Sequence, residues 1–123
     1  MPAYSRKVEA LAEAITKLTG YHDPTSEAHI ARNPGRLSDT EGLRVYRSFL
    51  DGYQSLLHDL TVKLSGKSRS GLTPDSTLLD LATVQKEKDP AVASRQWALF
   101  LRAALGDNNL TNKIQLKFFT ESI

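Results

Sequence analysis

Three stretches of this chain space their apolar residues at intervals of three and four, and each stops at a glycine. Val8, Leu11, Ala12, Ile15 and Leu18 precede Gly20. Phe49, Tyr53, Leu56, Leu57, Leu60 and Leu64 precede Gly66. Val92, Ala93, Trp97, Phe100, Leu101 and Ala104 precede Gly106. That period lays one apolar stripe along a helix, and glycine ends a helix by accepting the left-handed conformation that a β-carbon opposes. The starts are marked as well. Ser5, Ser48 and Asp89 stand as N-caps, Ser48 and Asp51 have the spacing of a capping box, and Pro90 takes a first helical position where its missing N–H costs nothing. Three such helices bury their stripes against one another, so the expected class is mainly α.

The stretches between are less regular. Residues 21–36 hold two prolines and no sustained period, and read as a loop; a loop of that length in a small domain is often functional. Leu37, Leu43, Val45 and Phe49 flank a "DTEG" turn signal, which predicts a small β-hairpin around residues 36–47. After the polar "KSRSGLTPDS", Thr73 or Asp75 is expected to start a short helix with Leu78, Leu79, Leu81 and Ala82 inward. Leu110, Ile114 and Phe118 predict a last helix. With 123 residues and 40% hydrophobic content there is material for one core. The expectation is a single domain over residues 1–123, with about five helices.

Charge and composition exclude several functions. The net charge is +2, no polybasic tail is present and the signs alternate, which disfavours a dedicated nucleic-acid face. There is no cysteine, so disulfides, thiol catalysis and cysteine metal sites are excluded. No apolar run approaches the ~18 residues of a membrane span, and "MPAYSRKVEA" lacks the apolar core of a signal peptide. Synthesis in the cytoplasm is expected, with no membrane partner and no cofactor.

Three pieces carry a resemblance: a helix ending "AITKLTGY", a loop closing in "RNPGRL", and "YRSFLDGYQSLLHDLTVKLSG" followed by "TPDSTLLDLA". Over roughly residues 8–105 the chain resembles the lysozyme-like, lytic-transglycosylase-like domains of phage and bacterial cell-wall proteins. In one branch of these, a helix ending in a Phe-Glu-Gly-Phe-like run precedes an "NNPGN" loop, a small hairpin and an aromatic-and-Gly helix. Asn33-Pro34-Gly35 with Leu37 is the most specific part of the match. The resemblance implies an α+β lysozyme-like fold and glycan cleavage, with a glutamic acid at the end of the first helix as general acid. The matching residue here is Thr19, whose hydroxyl cannot supply that proton near neutral pH. Ala31 and Arg32 precede Asn33, and Arg36 replaces the usual asparagine.

Other groups compete with that position. Glu27 and Glu41 are the candidates for a relocated acid; the plainer reading makes them, with Asp23, solvated loop charges, Asp23 starting a turn before Pro24. Tyr21, Tyr46 and Tyr53 are candidates for stacking on a sugar face. Asn33 is a candidate ligand contact, although an NPG turn also needs it structurally. His22, Asp23, Glu27 and His29 match no established metal spacing, so no metal site is assigned. His58 sits beside an apolar stripe and reads as a boundary residue, and Trp97 as core. Lys63, Lys67 and Arg69 cluster, and with Arg36, Arg44 and Arg47 they form a side on which an anionic polymer or phosphate would bind; the plainer reading is a solvated helix end.

The leading expectation is therefore a non-catalytic lysozyme-like domain with a structural or glycan-binding role, as a phage virion or phage-derived component. Its partners would be peptidoglycan or another glycan, or virion proteins. The second is an active peptidoglycan glycosidase or lytic transglycosylase with a relocated acid. The third is a small helical adaptor that binds protein or nucleic acid.

Overall fold

The structure is a computed structural model that describes residues 5–39, 42–66, 70–85 and 87–120. The chain begins with the helix expected of its first stripe, α1 (Arg6–Leu18), whose cap Ser5 accepts a hydrogen bond from the Val8 amide. Gly20 follows at φ 77. The second stripe forms α3 (Phe49–Leu64), capped by Ser48, and the third forms α5 (Pro90–Leu105), capped by Asp89 and ended by Gly106 at φ 66.

Between α1 and α3 lie a one-turn helix, α2 (Glu27–Ile30), and two short segments, β1 (Ser38–Asp39) and β2 (Gly42–Leu43). The segments pair antiparallel, Ser38 opposite Leu43 and Asp39 opposite Gly42, within the span where a hairpin was expected. The expected loop 21–36 thus contains a helical turn that its periodicity did not signal. Ser26 caps it by accepting from the His29 amide.

α4 (Leu78–Val84) starts later than Thr73 or Asp75. Its cap is Thr77, which forms a capping box with Asp80. The tail decides this start. The amides of Leu78 and Leu79, unpaired at a helix N-terminus, donate to the carbonyls of Ile114 and Asn112 at 3.0 and 3.1 Å, and Leu116 donates to Ser76 at 2.8 Å. The tail is thereby held along α4's entry, and only α6 (Lys117–Thr120) is helical where a longer helix was expected. Its anchors are the buried Leu110, Leu116 and Phe119; Ile114 and Phe118 pack at the edge.

The core forms around α1, which packs against α3, α5 and α6, while α4 packs on α5. Ala10, Leu11, Ala12, Ala14 and Ile15 are all within 1% of full burial. A single stripe does not account for this. Alanines at 10, 12 and 14 keep α1 thin enough for neighbours on several sides, so the helix is wrapped, and Leu18, expected inside, is 39% exposed beyond the packed section. Trp97 is fully buried in the core. Among the described residues no helix is long and apolar enough to cross a membrane.

Candidate functional site

Asn33, Pro34 and Gly35 are buried and hold the connection between α2 and β1 against α3. Asn33 is 0% exposed. Its amide nitrogen donates to the carbonyls of Leu37 and Arg44 at 2.8 and 2.9 Å, and its oxygen accepts from the Leu37 amide at 2.9 Å. Both donors and the oxygen are spent on backbone, so Asn33 pins the base of the paired segments and is out of a ligand's reach. α3 comes close because Gly52 has no side chain: a β-carbon there would collide with the Arg32 carbonyl oxygen and sit 2.9 Å from Pro34 Cδ. Two residues flanking the turn, Arg32 and Arg36, adopt φ 52, a left-handed conformation that asparagine tolerates and arginine adopts at a cost.

Thr19 closes α1 against this turn. Its hydroxyl lies 2.9 Å from both the Thr16 and the Pro34 carbonyl oxygens, and its single proton serves one at a time.

Two cavities flank α3. A groove of about 950 Å³ runs between the paired segments and the outward face of α3, with Val84 and Gln85 at its end. Arg36, Arg44, Tyr46 and Arg47 line one wall and Asp51, Gln54, His58, Asp59 and Lys63 the other. A smaller, mostly apolar pocket of about 570 Å³ is lined by Glu13, Thr16, Lys17 and His22 together with Phe49, Tyr53 and Phe100. On a helix of 3.6 residues per turn, positions 49 and 53 point opposite to 51, 55, 58 and 62. The cavities are therefore on opposite sides of α3, and Thr19 lines neither.

The expected site residues are divided by this arrangement. Tyr21 and Tyr53 join an aromatic chain on the pocket side: Tyr21 meets Phe49 edge-on at 4.7 Å, and Phe49 stacks on Tyr53 at 5.6 Å. Tyr46 is in the groove. Glu27 is exposed at the start of α2 and lines neither cavity; Glu41 lies outside the described residues, as do Lys67 and Arg69. His29 Nδ1 lies 2.9 Å from the Tyr21 carbonyl oxygen. Asp23 accepts from the Thr25 amide and hydroxyl at 2.9 and 2.8 Å, as a turn-former does, and these bonds hold its carboxyl below the usual value. His58 is exposed on the groove wall.

The carboxylates that do line the cavities were not site candidates in the sequence, where Asp51 stood out only as a helix-capping residue. In the groove, Asp59 pairs with Lys63 at 2.7 Å, and Asp51 sits in the first turn of α3. In the pocket, Glu13 lies 3.6 Å from Arg6. Beyond the groove's end, burial lifts the carboxyl of Glu87 above its ordinary value, against the pull of the nearby Arg36 guanidinium. Burial also pushes the Tyr53 phenol up to about 12, with Glu13 and Glu9 adding to the effect. The polar face of α3 that forms the groove was legible as the helix face opposite its stripe; Glu87, in a short connection, carried no such signal.

This geometry can bind polar ligands in the groove and apolar faces in the pocket. A retaining or inverting glycosidase needs two carboxyl groups across one cleft, and the helix-end position and the groove are not parts of one cleft here. No family model, no curated protein and no solved structure matches this chain.

Proposed function

We propose that the chain is a lysozyme-like helical domain without the glycosidase chemistry, kept for binding or assembly, with peptidoglycan or another glycan, or a phage virion, as its setting. The observation that carries this reading is Thr19. Where the resemblance calls for an acid, a hydroxyl is committed to the backbone of Thr16 and Pro34. The separation of the groove from the end of α1 supports it, because restoring a carboxyl at that position does not place it in the groove.

The test is mass-spectrometric detection of muropeptides released from purified peptidoglycan, together with co-sedimentation of the protein with the insoluble wall. The expected outcome is co-sedimentation without release. Release of fragments would overturn the non-catalytic reading.

One observation favours the second reading, an active glycosidase with a relocated acid. Glu87, beyond the groove's end, is a half-buried carboxyl with a pKa raised by burial against the pull of Arg36, which lines the groove, and raised carboxyls serve as general acids. Under that reading wild-type protein releases muropeptides and Glu87→Gln releases none.

A further inference from the structure

The groove beside α3 is rich in hydrogen-bond donors. Its lining carries Arg36, Arg44, Arg47 and Lys63 against Asp51 and Asp59; Asp59 and Lys63 pair with each other and Arg44 is engaged within the protein, which leaves Arg36 and Arg47 as the cations set against Asp51. Two more polar groups on the lining residues are buried with no partner, the Tyr46 hydroxyl and Gln85 Nε2. Among the described residues the remaining atom of this kind is the indole nitrogen of Trp97, inside the core. The orientation of the Gln85 amide follows from chemistry. Lys63 Nζ lies 3.1 Å from Gln85 Oε1, and an ammonium only donates, so the carbonyl faces the lysine and the NH₂ is the open group. Both atoms are closed off from solvent, so they mark a polar wall behind the groove rather than a contact for its occupant. At the rim, Arg36 keeps its charge on a backbone at φ 52 that suits asparagine better. Unfavourable backbone of this kind gathers at functional sites.

A ligand that satisfies this lining brings acceptors and negative charge. Single-stranded nucleic acid also needs a run of aromatic faces for successive bases, and among the described lining residues the groove offers only the Tyr46 and His58 rings. The polar row Asp51, Gln54, Ser55 and His58 along α3 instead suits sugar hydroxyls. The volume of about 950 Å³ is at the upper end of ligand cavities and admits more than one ring. We propose that this groove binds an acidic glycan, one whose sugars carry carboxylate or phosphate groups; the proposal rests on the glycan-binding form of the reading above.

The test is calorimetric titration at low and at physiological salt with four probes: hexagalacturonate, a phosphomannan oligosaccharide, the neutral chitohexaose, and an oligothymidylate. One or both acidic sugars should bind, more weakly as salt rises, and chitohexaose should bind about tenfold more weakly or not at all. Which acidic sugar binds tells carboxylate from phosphate. Arg36→Asn should raise the thermal midpoint, because it relaxes the backbone, while lowering affinity about tenfold. Arg47→Gln should fold as well as wild type and bind about tenfold more weakly. Equal binding of chitohexaose, or unchanged affinity in both variants, overturns the acidic-ligand proposal and leaves glycan binding standing. No binding of any sugar removes both. Tightest binding by oligothymidylate overturns the proposal in favour of nucleic acid.

Discussion

The Thr19 hydroxyl at the end of α1 and the Pro34 carbonyl oxygen in the buried turn are 2.9 Å apart, a hydrogen bond across fifteen residues of chain. It joins the end of the first helix to the buried Asn33-Pro34-Gly35 turn, and it gives the Thr19 side chain a structural role.

Replacing Thr19 tests that role and the proposed lack of chemistry there. Thr19→Val should lose about 1 kcal/mol of stability, the net worth of one such hydrogen bond. Thr19→Glu should gain no muropeptide release, since the position lines neither cavity. Release by that variant would show that the end of α1 still faces a working cleft.

Gly52 should tolerate no side chain. Alanine is the better helix former by about 1 kcal/mol, yet its methyl group would meet the Arg32 carbonyl and Pro34. Gly52→Ala should therefore lower stability by about 2–3 kcal/mol, the cost of overpacking against backbone. Urea denaturation checks this. A gain in stability would mean that α3 and the turn are farther apart than described.

Asn33 should behave as a residue of the fold. Asn33→Ala removes three hydrogen bonds of a buried side chain and should cost about 3 kcal/mol or more. Asn33→Asp should be comparably destabilising at neutral pH, because a carboxylate faces the Leu37 and Arg44 carbonyls with no donor. Either variant folding with wild-type stability and losing only glycan binding would make Asn33 a ligand contact after all.

Glu87 should leave a signature in the pH dependence of stability. Its folded-state pKa is raised above the ordinary 4.5 by burial. The folded state therefore holds the proton more tightly, and stability is greatest below the unfolded value and falls as pH rises through the folded one. Asp23 acts oppositely: its stabilisation is present above 3.8 and lost as pH falls through its lowered value. Comparing denaturation of wild type and Glu87→Gln between about pH 4 and about pH 8 isolates the first effect. The variant should gain stability relative to wild type as pH rises. A constant difference would show that Glu87 titrates alike in both states.

Much of the frame was legible because it depends on neighbours in sequence. The three long helices, their caps Ser5, Ser48 and Asp89, and the left-handed glycines 20, 66 and 106 are local chemistry, and the structure keeps them; of the stripes, Leu18 and Val92, expected inside, are exposed near the helix ends. The pairing near residues 36–47 was signalled by its turn residues. The start of α4 was misplaced, because its first amides are satisfied by a tail more than thirty residues away, and the last helix was overextended for the same reason. The wrapping of α1 depends on which helices approach its alanines, and no stripe encodes that.

The candidate site divides along the same line. The sequence by itself determined that a threonine, Thr19, closes the first helix and that arginines gather near the turn. Only the tertiary structure decided that Thr19 bonds to Pro34, that Asn33 faces inward, and that Arg36, Arg47 and Lys63 share a groove whose wall holds two unpaired donors. The reason is physical. Helix periods and caps are set within a few residues along the chain, whereas a cavity, a buried bond or a shifted pKa arises from groups brought together across it.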